Sequence, residues 1–156
     1  MPAAGERVER ALRDRKVARD VRVLGDFQAI YCRGNHAGGQ RRPLESLGAR
    51  LGAYGDRVPA VCEECAEFLR YAERRRALCP HDPKPQCKNC PKHCYRPAMR
   101  ETARAVMRYA GPPAMFHGHA ADSVAHMLDR PVRALRRLGG RPGGEEAARE
   151  MEGRTR

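Results

Sequence analysis

Val61-Cys62-Glu63-Glu64-Cys65-Ala66-Glu67-Phe68-Leu69-Arg70-Tyr71-Ala72 places two thiols, separated by two residues, at the head of an amphipathic segment. That spacing lets two sulfurs converge on one ion from a tight turn or a helix start. Cys65, Leu69 and Ala72 then recur at intervals of three and four, which predicts a helix over Glu63–Leu78. Arg70 and Arg74 fall on its other side, with Arg75 and Arg76 beside them. Glu63 and Glu64 suit the first turn, where the helix dipole favours negative charge. Cys79-Pro80 ends the helix, and a second C-x-x-C, Cys87/Cys90, follows in a proline-rich run closed by Cys94.

Working outward, Glu6–Tyr31 reads as one helix. Val17, Val21 and Leu24 form one apolar stripe, and Val23, Phe27 and Ile30 a neighbouring one. Gly25 weakens the pattern near its end. Cys32, Gly34 and His36 come next, then a Gly- and Arg-rich stretch, Ala37–Val61, which reads as a flexible inserted loop with one helical turn around Leu44–Leu51. His81–Cys94 holds Pro83, Pro85 and Pro91 and is irregular. A third helix starts near Pro97, where proline suits a first turn. It buries Met99, Ala103, Val106, Met107 and Ala110 and stops before Gly111-Pro112-Pro113. Further helices are expected over Ala120–Asp129 and Pro131–Leu138. No strand pattern stands out.

The expected fold class is therefore mainly α: a small helical single domain over residues 6–138 with irregular cysteine-rich metal-binding connections. Residues 139–156, rich in Gly, Glu and Arg, read as a disordered tail.

Composition points the same way. The 156 residues include no Trp, three Phe and five Tyr, and a small fold short of large side chains needs a staple such as a metal. No segment approaches the roughly 18 uncharged apolar residues of a membrane span, and Met1–Glu6 runs straight into charged sequence with no leader-like stretch. A cytoplasmic, reducing location is expected, where seven cysteines are ligands or reactive thiols rather than disulfides.

Two partitions of the cysteines fit the spacing. One is a ribbon-like site of Cys62, Cys65, Cys87 and Cys90, with the whole Glu63–Leu78 helix inside its loop. The other, favoured because it closes locally, has Cys32, His36, Cys62 and Cys65 in a first centre and Cys79, Cys87, Cys90 and Cys94 in a second. His93 is a substitute ligand in the second. Zinc suits both sets. The all-cysteine set also suits an iron–sulfur cluster, and Cys79-Pro80 and Cys90-Pro91 resemble ferredoxin-type binding runs.

The formal net charge is +12. Thiolate metal sites would lower it only to about +9, since bound thiols lose their protons. Nucleic acid or another polyanion is then a natural partner, although arginine also serves simply as a solubilising residue. Arg96, Arg100, Arg104 and Arg108 recur every four residues along the third helix, between Tyr95 and Tyr109. Such a face can grip phosphates or stand as a solvated surface with local ion pairs. His117, His119 and His126 read as scattered surface histidines.

Catalytic readings find little support. A thioredoxin-type C-x-x-C needs a βαβ context, Cys94 and His93 lack a third group, and no phosphate-binding glycine loop is present. The expected activity is non-enzymatic. The reading is of a metal-binding protein or, alternatively, of a nucleic-acid-binding module with structural zinc.

Several blocks carry a family resemblance: Tyr31-Cys32-Arg33-Gly34, Cys62-Glu63-Glu64-Cys65 with Tyr71-Ala72 and Arg76, Cys79-Pro80, Lys84-Pro85-Gln86-Cys87-Lys88-Asn89-Cys90-Pro91-Lys92-His93-Cys94-Tyr95-Arg96-Pro97, and Met107-Arg108-Tyr109-Ala110-Gly111-Pro112. Together, over Phe27–Leu128, they resemble the nitrous-oxide-stimulated promoter family, small bacterial proteins linked to the response to nitric oxide. The resemblance implies a setting of nitrosative stress rather than a reaction. This chain departs from the family pattern in three places. Asn35 precedes His36 where two adjacent histidines are usual, Ala37–Val61 looks like an insertion, and Pro113-Ala114-Met115 replaces an Arg-Met.

Overall fold

The computed structural model describes residues 3–85 and 87–116. The expected helices over Ala120–Asp129 and Pro131–Leu138, the tail from 139 and the three late histidines lie outside them.

Where one amino-terminal helix is expected, two form. Helix α1 covers Ala4–Leu12 and α2 covers Arg15–Asn35. The break falls at Asp14, whose carboxylate accepts hydrogen bonds from the backbone N–H groups of Lys16 (3.0 Å) and Val17 (3.1 Å). This N-cap satisfies donors that an unbroken helix would not leave open. Helix α2 then runs through Gly25 and Gly34 to Asn35, four residues beyond the expected end. Both glycines are close approaches rather than breakers. A Cβ at Gly25 would lie 2.6 Å from the Tyr54 ring, and one at Gly34 would overlap the Tyr109 hydroxyl.

The two apolar stripes of α2 meet different partners. Val17, Val21, Ala29 and Cys32 join Val8 and Leu12 of α1 in the larger core, together with Cys65, Ala66 and Leu69 of α4 (Glu63–Ala77). Val23, Phe27 and Ile30 pack against α5 (Pro97–Phe116) through Val106, Ala110 and Ala114. Helix α4 matches its expected bounds to within a residue.

Helix α5 does not stop at Gly111 but carries Pro112 and Pro113 inside it. Proline removes the N–H that would reach back one turn. The stripe Val106/Ala110/Ala114, fully buried against α2, holds the helix on course through that gap. Met107, expected in this stripe, is instead 43% exposed.

The segment 37–61, read as a flexible loop, is packed. Arg42–Pro43 (β1) and Ala60–Val61 (β2) form an antiparallel pair, Arg42 opposite Val61 and Pro43 opposite Ala60. Leu47–Arg50 makes one helical turn, α3, inside the expected window, capped by the Ser46 hydroxyl accepting from the Ala49 N–H at 3.0 Å. Leu44, Ala53, Tyr54 and Val61 enter the larger core. The reason is a long-range polar lock. Glu73, 3% exposed on α4, accepts from the hydroxyls of Ser46 and Tyr54, each at 2.6 Å, and from the Gly48 N–H at 3.1 Å. No helix among the described residues is long and apolar enough to cross a membrane.

Candidate metal centres

Cys32 lies on the last turn of α2 and His36 is its C-cap, whose N–H donates to Cys32 O at 3.0 Å, so both stand at the same helix end. Cys62 is the N-cap of α4 and Cys65 lies in its first turn. The two helix ends meet, and the strand pair delivers Cys62 to the junction, since β2 ends at Val61. All four ligand atoms lie within 4.8 Å of one another. His36 Nδ1 is 3.3 Å from Cys62 Sγ and 3.2 Å from Cys65 Sγ. A tetrahedral ion with zinc–sulfur bonds of about 2.3 Å has edges of about 3.8 Å, slightly shorter to nitrogen, so the donor set fits one closed tetrahedral site. Cys32, Cys62 and Cys65 are buried and His36 is half-buried.

Neighbouring groups act on the two innermost thiols in opposite directions. The Cys62 N–H donates to Cys32 Sγ at 3.3 Å. Burial pushes the Cys32 thiol up, but donors from Cys62, Cys65 and Arg41 outweigh it and leave the thiol below its ordinary value. Cys65, equally buried, is pushed well up by burial despite a hydrogen bond from Gln28. The helix dipole at the start of α4 also favours sulfur anions. Gln28 and Arg41 were not legible as site residues from sequence. Gln28 sits one turn before Cys32, which in hindsight is the signal, whereas Arg41 reaches the site only because β1 pairs with β2. An open cleft of about 270 Å³, lined among others by Gln28, Tyr31, His36, Cys65, Glu64 and Glu101, lies beside the centre.

The second group sits on the connection between α4 and α5. Cys79, Cys87, Cys90 and Cys94 line one small space of about 20 Å³ with Arg75, Arg76, His93 and Tyr95. Cys87 to Asn89 forms a single 3₁₀ turn. The grouping is looser than the first. Among the described residues, the set that closes to 4.8 Å is Cys32, His36, Cys62 and Cys65. Cys87 and Cys94 are exposed, Cys79 and Cys90 half-buried. Burial of their sulfurs pushes the Cys87 and Cys94 thiols up, offset in part by Arg76 and Arg75 respectively. His81 Nε2 stands 3.5 Å from Cys90 Sγ. His93, the substitute ligand, lines the same space; burial first, and then the charges of Arg100 and Arg104, push its imidazole below its ordinary value.

Cationic side chains fasten this connection by its backbone. The Arg76 guanidinium donates to Pro85 O at 2.9 Å and pairs with Asp20 of α2 through Nε at 2.8 Å. Lys84 Nζ donates to Cys79 O at 2.6 Å, and Lys16 Nζ to Lys84 O at 3.2 Å.

Of the four arginines, Arg96, just before α5, lies over the Tyr71 ring, Arg104 pairs with Glu101 at 2.6 Å, and Arg96, Arg104 and Arg108 are exposed while Arg100 is half-buried.

No solved structure matches this chain. The uncharacterized protein YgbA of Escherichia coli (strain K12) is 44% identical over 68 residues, which is 42% of this chain and 57% of that protein. The chain therefore spans little more than half the length of the curated relative it matches. A family model described as "Nitrous oxide-stimulated promoter" matches residues 15–137, a span that takes in α2 to α5 and every cysteine. The chain belongs to the nitrous oxide-stimulated promoter family.

Proposed function

We propose that this chain is a bacterial, cytoplasmic metal–thiolate protein of the nitric oxide response that acts without catalytic turnover. The observation that carries the reading is the convergence of Cys32, His36, Cys62 and Cys65 to within 4.8 Å across two helix ends. Three sulfurs and one imidazole are a zinc donor set, and with four protein ligands no open position is left for a substrate. In this reading the first centre is structural.

The second centre is the functional one. Cys79, Cys87, Cys90 and Cys94 are the ligands of zinc or of an iron–sulfur cluster, and such a group keeps them as thiolates. Cys87 and Cys94 reach the surface as residues while lining the small space shared by all four, and a nitrosothiol reaches their sulfurs through that space. A cysteine thiolate there takes the nitroso group as the donor's own sulfur leaves as thiolate, and one ligand is lost.

The test is metal analysis and visible absorption of protein purified without oxygen. One zinc is expected at the first centre in wild type and in Cys90→Ser. The second metal, colourless if zinc and coloured if an iron–sulfur cluster, is expected in wild type alone. Cells carrying Cys90→Ser are expected to lose protection against nitric oxide. Protection retained without the second metal would overturn the functional role of that centre.

A further inference from the structure

Helix α5 follows directly on the second cysteine group, and Arg96, the residue before its first turn, is held against Tyr71 of α4. The Arg96 N–H donates to the Tyr71 hydroxyl at 2.9 Å. The guanidiniums of Arg75 and Arg96 lie 5.2 and 5.1 Å from the centre of the Tyr71 ring. The Tyr95 ring, next to Cys94, meets Tyr71 edge-on at 5.4 Å, His93 at 5.6 Å and Phe68 at 6.3 Å. Arg75, His93 and Tyr95 line the same small space as the four sulfurs. One continuous surface thus runs from the cysteines across Tyr71 and Tyr95 onto α5.

Its chemistry is one-sided. Arg96, Arg100 and Arg104 step along α5 about 6 Å apart at 1.5 Å per residue, Arg75 stands beside them, and Glu101 is engaged by Arg104. Two buried nitrogens on this face, Arg100 Nε and His93 Nδ1, have no hydrogen-bond partner. Guanidiniums held against an aromatic ring are ordered in advance, can stack on a base and can fork onto a phosphate. A chain of net charge +12 adds long-range attraction for a polyanion.

We propose that this surface binds single-stranded nucleic acid, and that occupancy of the second cysteine centre sets how tightly it binds. The second clause rests on the reading of Cys79, Cys87, Cys90 and Cys94 as metal ligands. The coupling is mechanical. Cys94-Tyr95-Arg96 is one stretch of backbone, so a ligated Cys94 fixes Tyr95 against Tyr71 and sets where Arg96 and the start of α5 lie. Losing the ligand frees that stretch and disperses the guanidiniums. Coupling of this kind is reciprocal, so bound nucleic acid raises metal affinity by the same factor.

The experiment is fluorescence anisotropy of a labelled 20-nucleotide single-stranded DNA across a salt series, with metal content measured on every sample. Wild type is expected to bind with affinity falling steeply with salt. In Arg100→Ala/Arg104→Ala the log–log slope is expected to shrink by about 1.4, at about 0.7 per lost phosphate contact on a single strand. Cys90→Ser and Cys87→Ser, each with the first centre still filled, are expected to bind about tenfold more weakly. Absence of salt-dependent binding, an unchanged slope in the arginine variant, or capture of heparin without the oligonucleotide would overturn the surface. Wild-type affinity in both cysteine variants would overturn the coupling. A wild type with no metal at the second centre refutes the metal reading instead, and the metal measurement separates that result from the others.

Discussion

Glu73 shows how a single residue organises a segment far from it in sequence. A carboxylate at 3% exposure is costly to bury unless its oxygens are matched by donors. Here both hydroxyls of the segment 37–61 point at one oxygen and the Gly48 N–H at the other. Burial pushes the Tyr54 hydroxyl far above its ordinary pKa, and the charge of Glu73 pushes it further. A phenol whose folded pKa is raised contributes stability that is complete below the unfolded value of about 10 and declines as pH rises past it. Tyr54→Phe should cost about 1–3 kcal/mol at neutral pH, and it should abolish the part of the alkaline decline that wild type shows above pH about 10. Urea melts of both proteins across that range decide it; parallel curves would mean that Tyr54 is not the titrating group. Gly25 makes the companion case. Alanine is favoured over glycine in a helix by about 1 kcal/mol, yet its Cβ would sit 2.6 Å from the Tyr54 ring and 3.3 Å from Pro59. Gly25→Ala should destabilise by about 1–3 kcal/mol through overpacking. A gain in urea midpoint would show that the ring yields freely.

At the scale of elements, what could be read from sequence was whatever depends on neighbours within a turn or two. The bounds of α4, the proline start of α5 and the turn near Leu47 are local facts, and so is the convergence of Cys62 and Cys65 at a helix start. Most of the differences turn on distant partners. Gly25 and Gly34 look like breakers until Tyr54 and Tyr109 are laid across them. Pro112 and Pro113 look like a stop until Ala114 is buried against α2. Segment 37–61 looks loose until Glu73 gathers it. Asp14 is the exception: its cap is a local signal, set three residues before Val17, the first residue of the apolar stripe. The connection bearing the second cysteines is the clearest case of distant support, because the Arg76 guanidinium, its side chain 10% exposed, joins Asp20 on α2 to Pro85 O just before Cys87. Arg76→Met keeps the bulk and removes both bonds. It should speed metal loss from the second centre at least tenfold in a chelator competition and leave the first centre unchanged. Asp20→Asn should produce a smaller change in the same direction. Equal loss from both centres would mean general unfolding instead of a released connection.

At the scale of the molecule, the two centres of the proposed reading differ in what they would hold together. The first joins the carboxy-terminal end of α2 to the amino-terminal end of α4, and its three sulfurs are counted among the buried residues of the larger core. In a chain without tryptophan and with three phenylalanines, that core is lean, and apparent binding energies of structural zinc reach about 10 kcal/mol or more at neutral pH. Removing that ion should therefore cost more than the domain can spare. The second centre fastens only the connection between α4 and α5, outside both apolar clusters. Thermal melts with and without a strong chelator should separate the two. Wild type and Cys90→Ser should both lose their cooperative transition, or fall by more than about 10 °C, a shift on the order of 2 kcal/mol or more for a domain of this size. Cys32→Ser should already melt low and respond little to the chelator. Acid should act like the chelator, since protons compete for thiolates and imidazole alike. If the chelator shift disappears in Cys90→Ser and persists in Cys32→Ser, the stabilising ion belongs to the second centre and the two roles must be exchanged.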